Sequence, residues 1–210
     1  WQSALFAFIE QVVNRYKDSP ALDSYQLENE YFLRGFGICE ELLGEEGAFD
    51  RDRLVREYNL VKRLDPYTRL IISRSNNALG MPIGDPTPDE FGISIYKRVW
   101  DANVTRRYLE YPFPAWYYAS VAGAQKILTS KDMIIHELQA EAWPPNYQSI
   151  QETPLDEQNK SFNADRFEKR VRFAEGTGMR EVYLWGAEYW YYRKVKLHDP
   201  SLWNVAKEEF

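Results

Sequence analysis

The sequence has one cysteine, Cys39, and two histidines. A single cysteine allows no disulfide within the chain. Neither histidine has zinc-site spacing: His136-Glu137 opens like a metalloprotease helix, but Ala140 stands where the second histidine belongs. No apolar run reaches the ~20 residues of a membrane-spanning helix. The longest uncharged stretch, between Tyr111 and Lys126, is interrupted by prolines and tyrosines. No Gly-x-Gly-x-x-Gly follows a strand-like run, so the dinucleotide-binding signal is missing, and no other cofactor signature takes its place. Net charge is −6 with the two signs interspersed. A phosphate backbone calls for a basic surface, so nucleic acid is not an expected partner. There is no internal repeat and no leader pattern. The chain nevertheless opens on Trp1, inside a helical pattern, and this reading expects residues upstream.

What is present is a chain of 210 residues, 44% hydrophobic, which is enough for one domain with a real core. Aromatics make up 16%, including 7 Trp and 15 Tyr, and such rings either pack in cores or stack on flat faces such as those of sugars. Apolar spacing predicts a helix over 1–17, with a stripe of Leu5, Phe8, Ile9, Val12, Val13 and Tyr16. A strand over 22–28 follows, then a glycine-bearing loop over 29–46. Asp50 is read as the cap of a helix over 52–64. Strands are predicted at 69–73 and 91–96, separated by a loop over 76–90, with 97–111 an irregular polar connection. A helix over 114–128 precedes a strand over 133–138. A loop over 142–154 leads to one long helix from about 156 to 175, capped by Gly176 and Gly178. The last strand, 181–185, is followed by an aromatic loop over 186–194 and a short helix over 200–209.

Strands alternating with helices at this spacing predict parallel strands joined by crossover helices, an α/β fold. Polar residues sit at the C-terminal ends of all five strands, where (β/α)8 barrels build their sites. Five strands cannot close such a barrel. The expectation is one domain over 1–210, a TIM-type barrel holding strands four to eight and lacking about three βα units at its start.

Two strand ends carry carboxylates. On an extended strand, Gln26, Glu28 and Glu30 share a face. In the later strand Ile135 and Glu137 point one way and Ile134 and His136 the other; if Glu137 faces the barrel interior, His136 faces the helices, which favours a packing role for it over a catalytic one. A pair of carboxyl groups about 5–5.5 Å apart can cleave a glycosidic bond with retention, one as nucleophile and one as acid/base.

The residues Gln26-Leu-Glu-Asn-Glu-Tyr31, together with Glu137 ending a strand three strands later, resemble the clan A glycoside hydrolases, the superfamily of cellulases, mannanases and β-galactosidases. The likeness to the β-galactosidase form of the motif is the strongest. The resemblance implies Glu30 as general acid/base, Asn29 as donor to the sugar 2-hydroxyl, and Glu137 as nucleophile. It implies that Tyr96 donates to Glu137 and that Trp185 forms a sugar platform. Glu141, four residues after Glu137, competes with it for the nucleophile role. Glu28 competes with Glu30, and the preceding Asn29 favours Glu30. Arg74, Asn76, Trp143 and Glu188 are further candidate contacts to substrate, Arg74, Asn76 and Asn77 alternatively capping a loop. At least one of Trp190, Tyr191 and Tyr192 is expected to line the cleft, whereas Trp100 and Trp116 are expected to pack. The implied partner is an oligosaccharide or glycoside. A different class, a non-catalytic carbohydrate-binding barrel, would keep the aromatics and dispense with the carboxylates.

Overall fold

A computed structural model describes residues 1–30, 51–75, 84–102 and 104–210, the side chains of Ser75 and Tyr147 excepted. The predicted cap Asp50, the glycines of the 29–46 loop, Cys39, Asn76 and Asn77 lie outside the described residues.

The elements are α1 (Gln2–Tyr16), β1 (Ser24–Gln26), α2 (Arg51–Leu64), β2 (Arg69–Ser75), β3 (Glu90–Ile95), β4 (Arg98–Asp101), β5 (Arg107–Glu110), α3 (Ala115–Thr129), β6 (Asp132–Gln139), α4 (Leu155–Ser161), α5 (Ala164–Thr177), β7 (Val182–Trp185), α6 (Ala187–Lys196) and α7 (Ser201–Glu209). One parallel sheet has the order β1-β2-β3-β6-β7, and β4 pairs antiparallel with β5. Strands that neighbour each other in chain order and run parallel are the arrangement the βα alternation predicts. All six residues of β3 are buried, as expected where both faces of a parallel strand are covered.

The chain forms two compact units. The first comprises Trp1–Ile93 and Ala124–Met133. Its core joins Ile9 and Val13 of α1, Leu54, Leu60 and Val61 of α2, Leu27, and Leu70 and Ile72 of β2. Each such Leu or Ile contributes about 1.5–3 kcal/mol by leaving water. Phe8 and Tyr16, expected on the buried stripe of α1, are exposed instead. Register pairs Tyr25 with Leu70, and Leu27 N–H still donates to Ile71 O at 2.8 Å. The extended chain then stops: Glu28 and Glu30 both take positive φ, so the expected alternation does not reach Glu30.

The second unit comprises Ser94–Gly123 and Ile134–Phe210. Its core holds Phe162, Phe167, Val171, Tyr189, Trp190, Leu202 and Val205. Trp190 packs at a tilt on Phe167, 4.7 Å between ring centroids. Arg193 is buried within this core, its guanidinium bound to Asp199, Asn159, Tyr189 and the Phe162 carbonyl.

Three predicted segments come out differently. The expected irregular connection over 97–111 contains the β4–β5 hairpin. Asp101 closes its turn by accepting from Val104 and Thr105 N–H, and Lys97 Nζ binds the Tyr111 and Phe113 carbonyls at 2.7 Å. The expected single helix over 156–175 is two, because fully buried Phe162 takes an extended conformation and Asn163 Oδ1 caps α5 by accepting from Arg166 N–H. Gly178 terminates α5 in the left-handed conformation, while Gly176 lies inside the helix rather than capping it. The expected aromatic loop over 186–194 is helix α6, formed because Tyr189, Trp190 and Arg193 turn one face into the core. Trp116, expected to pack, is exposed.

Candidate active site

In the second unit the chemistry gathers where β6 and β7 end. The β6–β7 register pairs Ile135 with Val182, then Leu138 with Leu184. Three steps on β6 therefore face two on β7, and the extra residue falls at His136 and Glu137. A bulge of this kind re-aims side chains and recurs beside active sites. Strict alternation of facing therefore does not run through this segment.

Glu137 is buried, and Tyr96 at the end of β3 donates its hydroxyl to Glu137 Oε2 at 2.7 Å. His136 Nε2 lies 3.8 Å from Glu137 Oε1. Burial holds the His136 imidazole down to about 4, so it is neutral at pH 7. No described residue gives its Nδ1 a hydrogen bond.

The Tyr96 ring packs on half-exposed Trp143, centroids 4.9 Å apart. Trp143 N–H is fixed on Ser161 Oγ at 2.8 Å. Trp185, also half exposed, donates Nε1–H to Glu141 Oε1 at 3.0 Å. Burial pushes the Glu141 carboxyl up to about 7, against hydrogen bonds from Trp185 and Trp143 and with help from the charges of Glu188 and Glu137. Glu188 is exposed on α6. Below this surface, Gln139 mimics a strand partner: its amide accepts from Arg98 N–H at 2.9 Å and donates to Arg98 O at 2.7 Å. Trp190 is buried core, its Nε1–H donated to Ala140 O at 2.6 Å, and Tyr191 is exposed against Trp203.

In the first unit a separate network forms where β1 and β2 end. Gln26 Nε2 donates to Asn29 Oδ1 at 3.0 Å, and Glu30 N–H donates to the buried Ser73 Oγ at 2.9 Å. Arg74 is buried at the end of β2. Glu28 is paired with Arg53 of α2, which also holds Glu57. Burial, and then the charge of Glu28, push the Glu57 carboxyl up to about 7 against the pull of Arg53. Sequence reasoning assigned no role to Ser73, Arg53 or Glu57. The one available signal was Arg53 and Glu57 at i and i+4, on the same side of α2 as Leu54, Leu60 and Val61.

No protein-family model and no curated protein matches this chain. Its fold is similar to part of a GH2 β-galacturonidase from Eisenbergiella tayi bound to galacturonate, with a TM-score of 0.55 and 16% identity over 88% of this chain and 29% of that one. A glycerol-bound structure of a GH2 β-galacturonidase from the same organism gives 0.52 with the same identity and coverage. A Bacteroides fragilis protein assigned as a β-galactosidase gives 0.51 at 13% identity, over 88% of this chain and 25% of that one. The chain thus spans less than a third of each of these structures, and it has the fold of a segment of such glycoside hydrolases.

Proposed function

We propose that this chain is part of a retaining β-glycosidase of the clan A type, a single catalytic domain in which the five sheet strands stand as strands four to eight of a (β/α)8 barrel. The observation that carries the reading is the buried hydrogen bond from Tyr96 to Glu137 at the end of a parallel strand, beside half-exposed Trp143 and Trp185. The hydroxyl donated by Tyr96 fixes the orientation of the Glu137 carboxyl, which an attacking group requires. Glu141, by contrast, is engaged by the Trp185 indole, and burial pushes its carboxyl up to about 7. The glycosidase folds that the chain resembles support the same class.

In this reading Glu137 attacks the anomeric carbon while Glu30 protonates the departing oxygen. A water, deprotonated by Glu30, then attacks the same carbon and releases Glu137. Asn29 holds the 2-hydroxyl, Trp185 and Trp143 bear the sugar faces, and Arg74, Asn76, Glu141 and Glu188 contact further hydroxyls of a glycoside or oligosaccharide. The protein containing this chain is assayed on aryl β-glycosides. Glu137→Gln lowers kcat by more than about a thousandfold. Glu30→Ala regains turnover of activated substrates in azide, and a 2-deoxy-2-fluoro glycoside leaves its adduct on the peptide holding Glu137. Normal turnover by Glu137→Gln would refute the assignment.

A further inference from the structure

The Glu28–Arg53–Glu57 cluster has no part in the reaction just described. Arg53 Nη1 donates to Glu57 Oε1 at 2.6 Å, one helical turn along α2, and the same nitrogen donates to Glu28 Oε1. Arg53 is 4% exposed and Glu57 is fully buried. The Trp1 ring covers the guanidinium at 5.1 Å. Packing does not account for these charges. Leu54, Leu60 and Val61 already carry α2 into the core. Taking ions out of water is costly before pairing, and apolar replacements of such clusters are often no less stable.

What the cluster does hold is Glu28. Glu28 and Glu30 adopt φ of 58° and 48°, with Asn29 between them. A non-glycine residue in the left-handed region is strained and persists only where its surroundings over-determine it. Gln26 and Ser73 secure this turn from the strand side, through Asn29 Oδ1 and Glu30 N–H. Arg53 secures it from the helix side.

We propose that Arg53 and Glu57 are positioning residues that, through Glu28, lock the turn presenting Asn29 and Glu30. The proposal rests on Glu30 being the acid/base. With the lock released, Glu30 no longer meets the glycosidic oxygen in register, while attack by Glu137 on the anomeric carbon is untouched. The signature is a defect that depends on the leaving group.

The test uses Arg53→Met, Arg53→Lys and Glu28→Ala in the protein containing this chain. Active sites are counted by a burst of 2,4-dinitrophenolate from a 2-deoxy-2-fluoro glycoside, and kcat/KM per site is measured on alkyl and 2,4-dinitrophenyl β-glycosides. Arg53→Met is expected to lose about a hundredfold on the alkyl glycoside, as a misplaced catalytic group does. It should lose no more than about threefold on the dinitrophenyl glycoside, which leaves without a proton. Arg53→Lys, which keeps a donor for Glu28, recovers part of the loss. Should Arg53→Met not fold, Glu28→Ala, at a partly exposed position, carries the same expectation. Equal losses on both substrates, or none, would overturn the proposal, as would azide rescue of Glu28→Ala, which would make Glu28 itself the acid/base. A parent protein inactive on every glycoside sinks the glycosidase reading itself, a result distinct from a failed lock.

Discussion

Gly186→Ala tests the joint between β7 and α6. Gly186 adopts φ of 139°, which side-chain-bearing residues rarely take. A Cβ there would lie 2.6 Å from Ala140 O, 2.7 Å from its carbonyl carbon and 3.0 Å from Glu141 Cβ. Carbon atoms pack at about 3.5 Å or more, so the backbones must separate by roughly 0.8 Å. Ala140 cannot yield freely. Its carbonyl accepts Trp190 Nε1–H at 2.6 Å, and its N–H donates to Trp185 O at 2.9 Å. Backbone strain of about 1–3 kcal/mol, overpacking of about 1–3 kcal/mol and a weakened hydrogen bond of about 1 kcal/mol together give a destabilisation of about 5 kcal/mol. For a domain of this size that lowers Tm by roughly 10–20 °C. Thermal unfolding is read beside Gly123→Ala, within α3, where an added Cβ meets nothing within 4 Å. That control should gain up to about 1 kcal/mol. A Gly186→Ala protein within about 0.5 kcal/mol of its parent would show that the strand–helix joint does not need glycine.

Arg193→Leu strips a buried guanidinium from Asp199, Asn159, Tyr189 and the Phe162 carbonyl, and should cost about 3–5 kcal/mol in urea unfolding. A loss below about 1 kcal/mol would mean those partners are satisfied without it. His136 gives a signed pH dependence. The unfolded histidine takes up its proton near 6.5 and the folded one only near 4, so the contribution is complete above pH 6.5 and falls away toward pH 4. Its full size is at most about 3 kcal/mol. His136→Phe should flatten stability across that window in urea titrations, whereas a His136 titrating near 6.5 by NMR in the folded protein would refute the burial argument.

Local patterns carried far into the structure. The stops at Lys17-Asp-Ser-Pro20 and Asp65-Pro66 bound α1 and α2 almost where they end. The Leu-Ile and Met-Ile-Ile runs become β2 and β6, and βα alternation sets parallel pairing. The break at Phe162-Asn163 was also readable, since Asn163 with Asp165 two residues on is a helix-start signal. The hairpin was harder to see: four-residue strands of mixed exposure alternate too briefly to stand out. The run Tyr189-Trp-Tyr-Tyr192 has middling helix propensity, and only the fit of Trp190 against Phe167 makes it helical.

The same division runs through the candidate site. Residue types at strand ends follow from the chain itself, because apolar runs and their polar termini are local. So Glu30, Glu137, Tyr96 and Trp185 could be put forward as candidates from the sequence. Which charges are buried, and by what they are held, depends on partners distant in the chain. Arg53 meets Glu28 across 25 positions, and Tyr96 meets Glu137 across 41. The one-residue shift at His136 and Glu137 likewise exists only relative to β7. Desolvation and strand register are properties of packed neighbours, and only the tertiary structure supplies the neighbours.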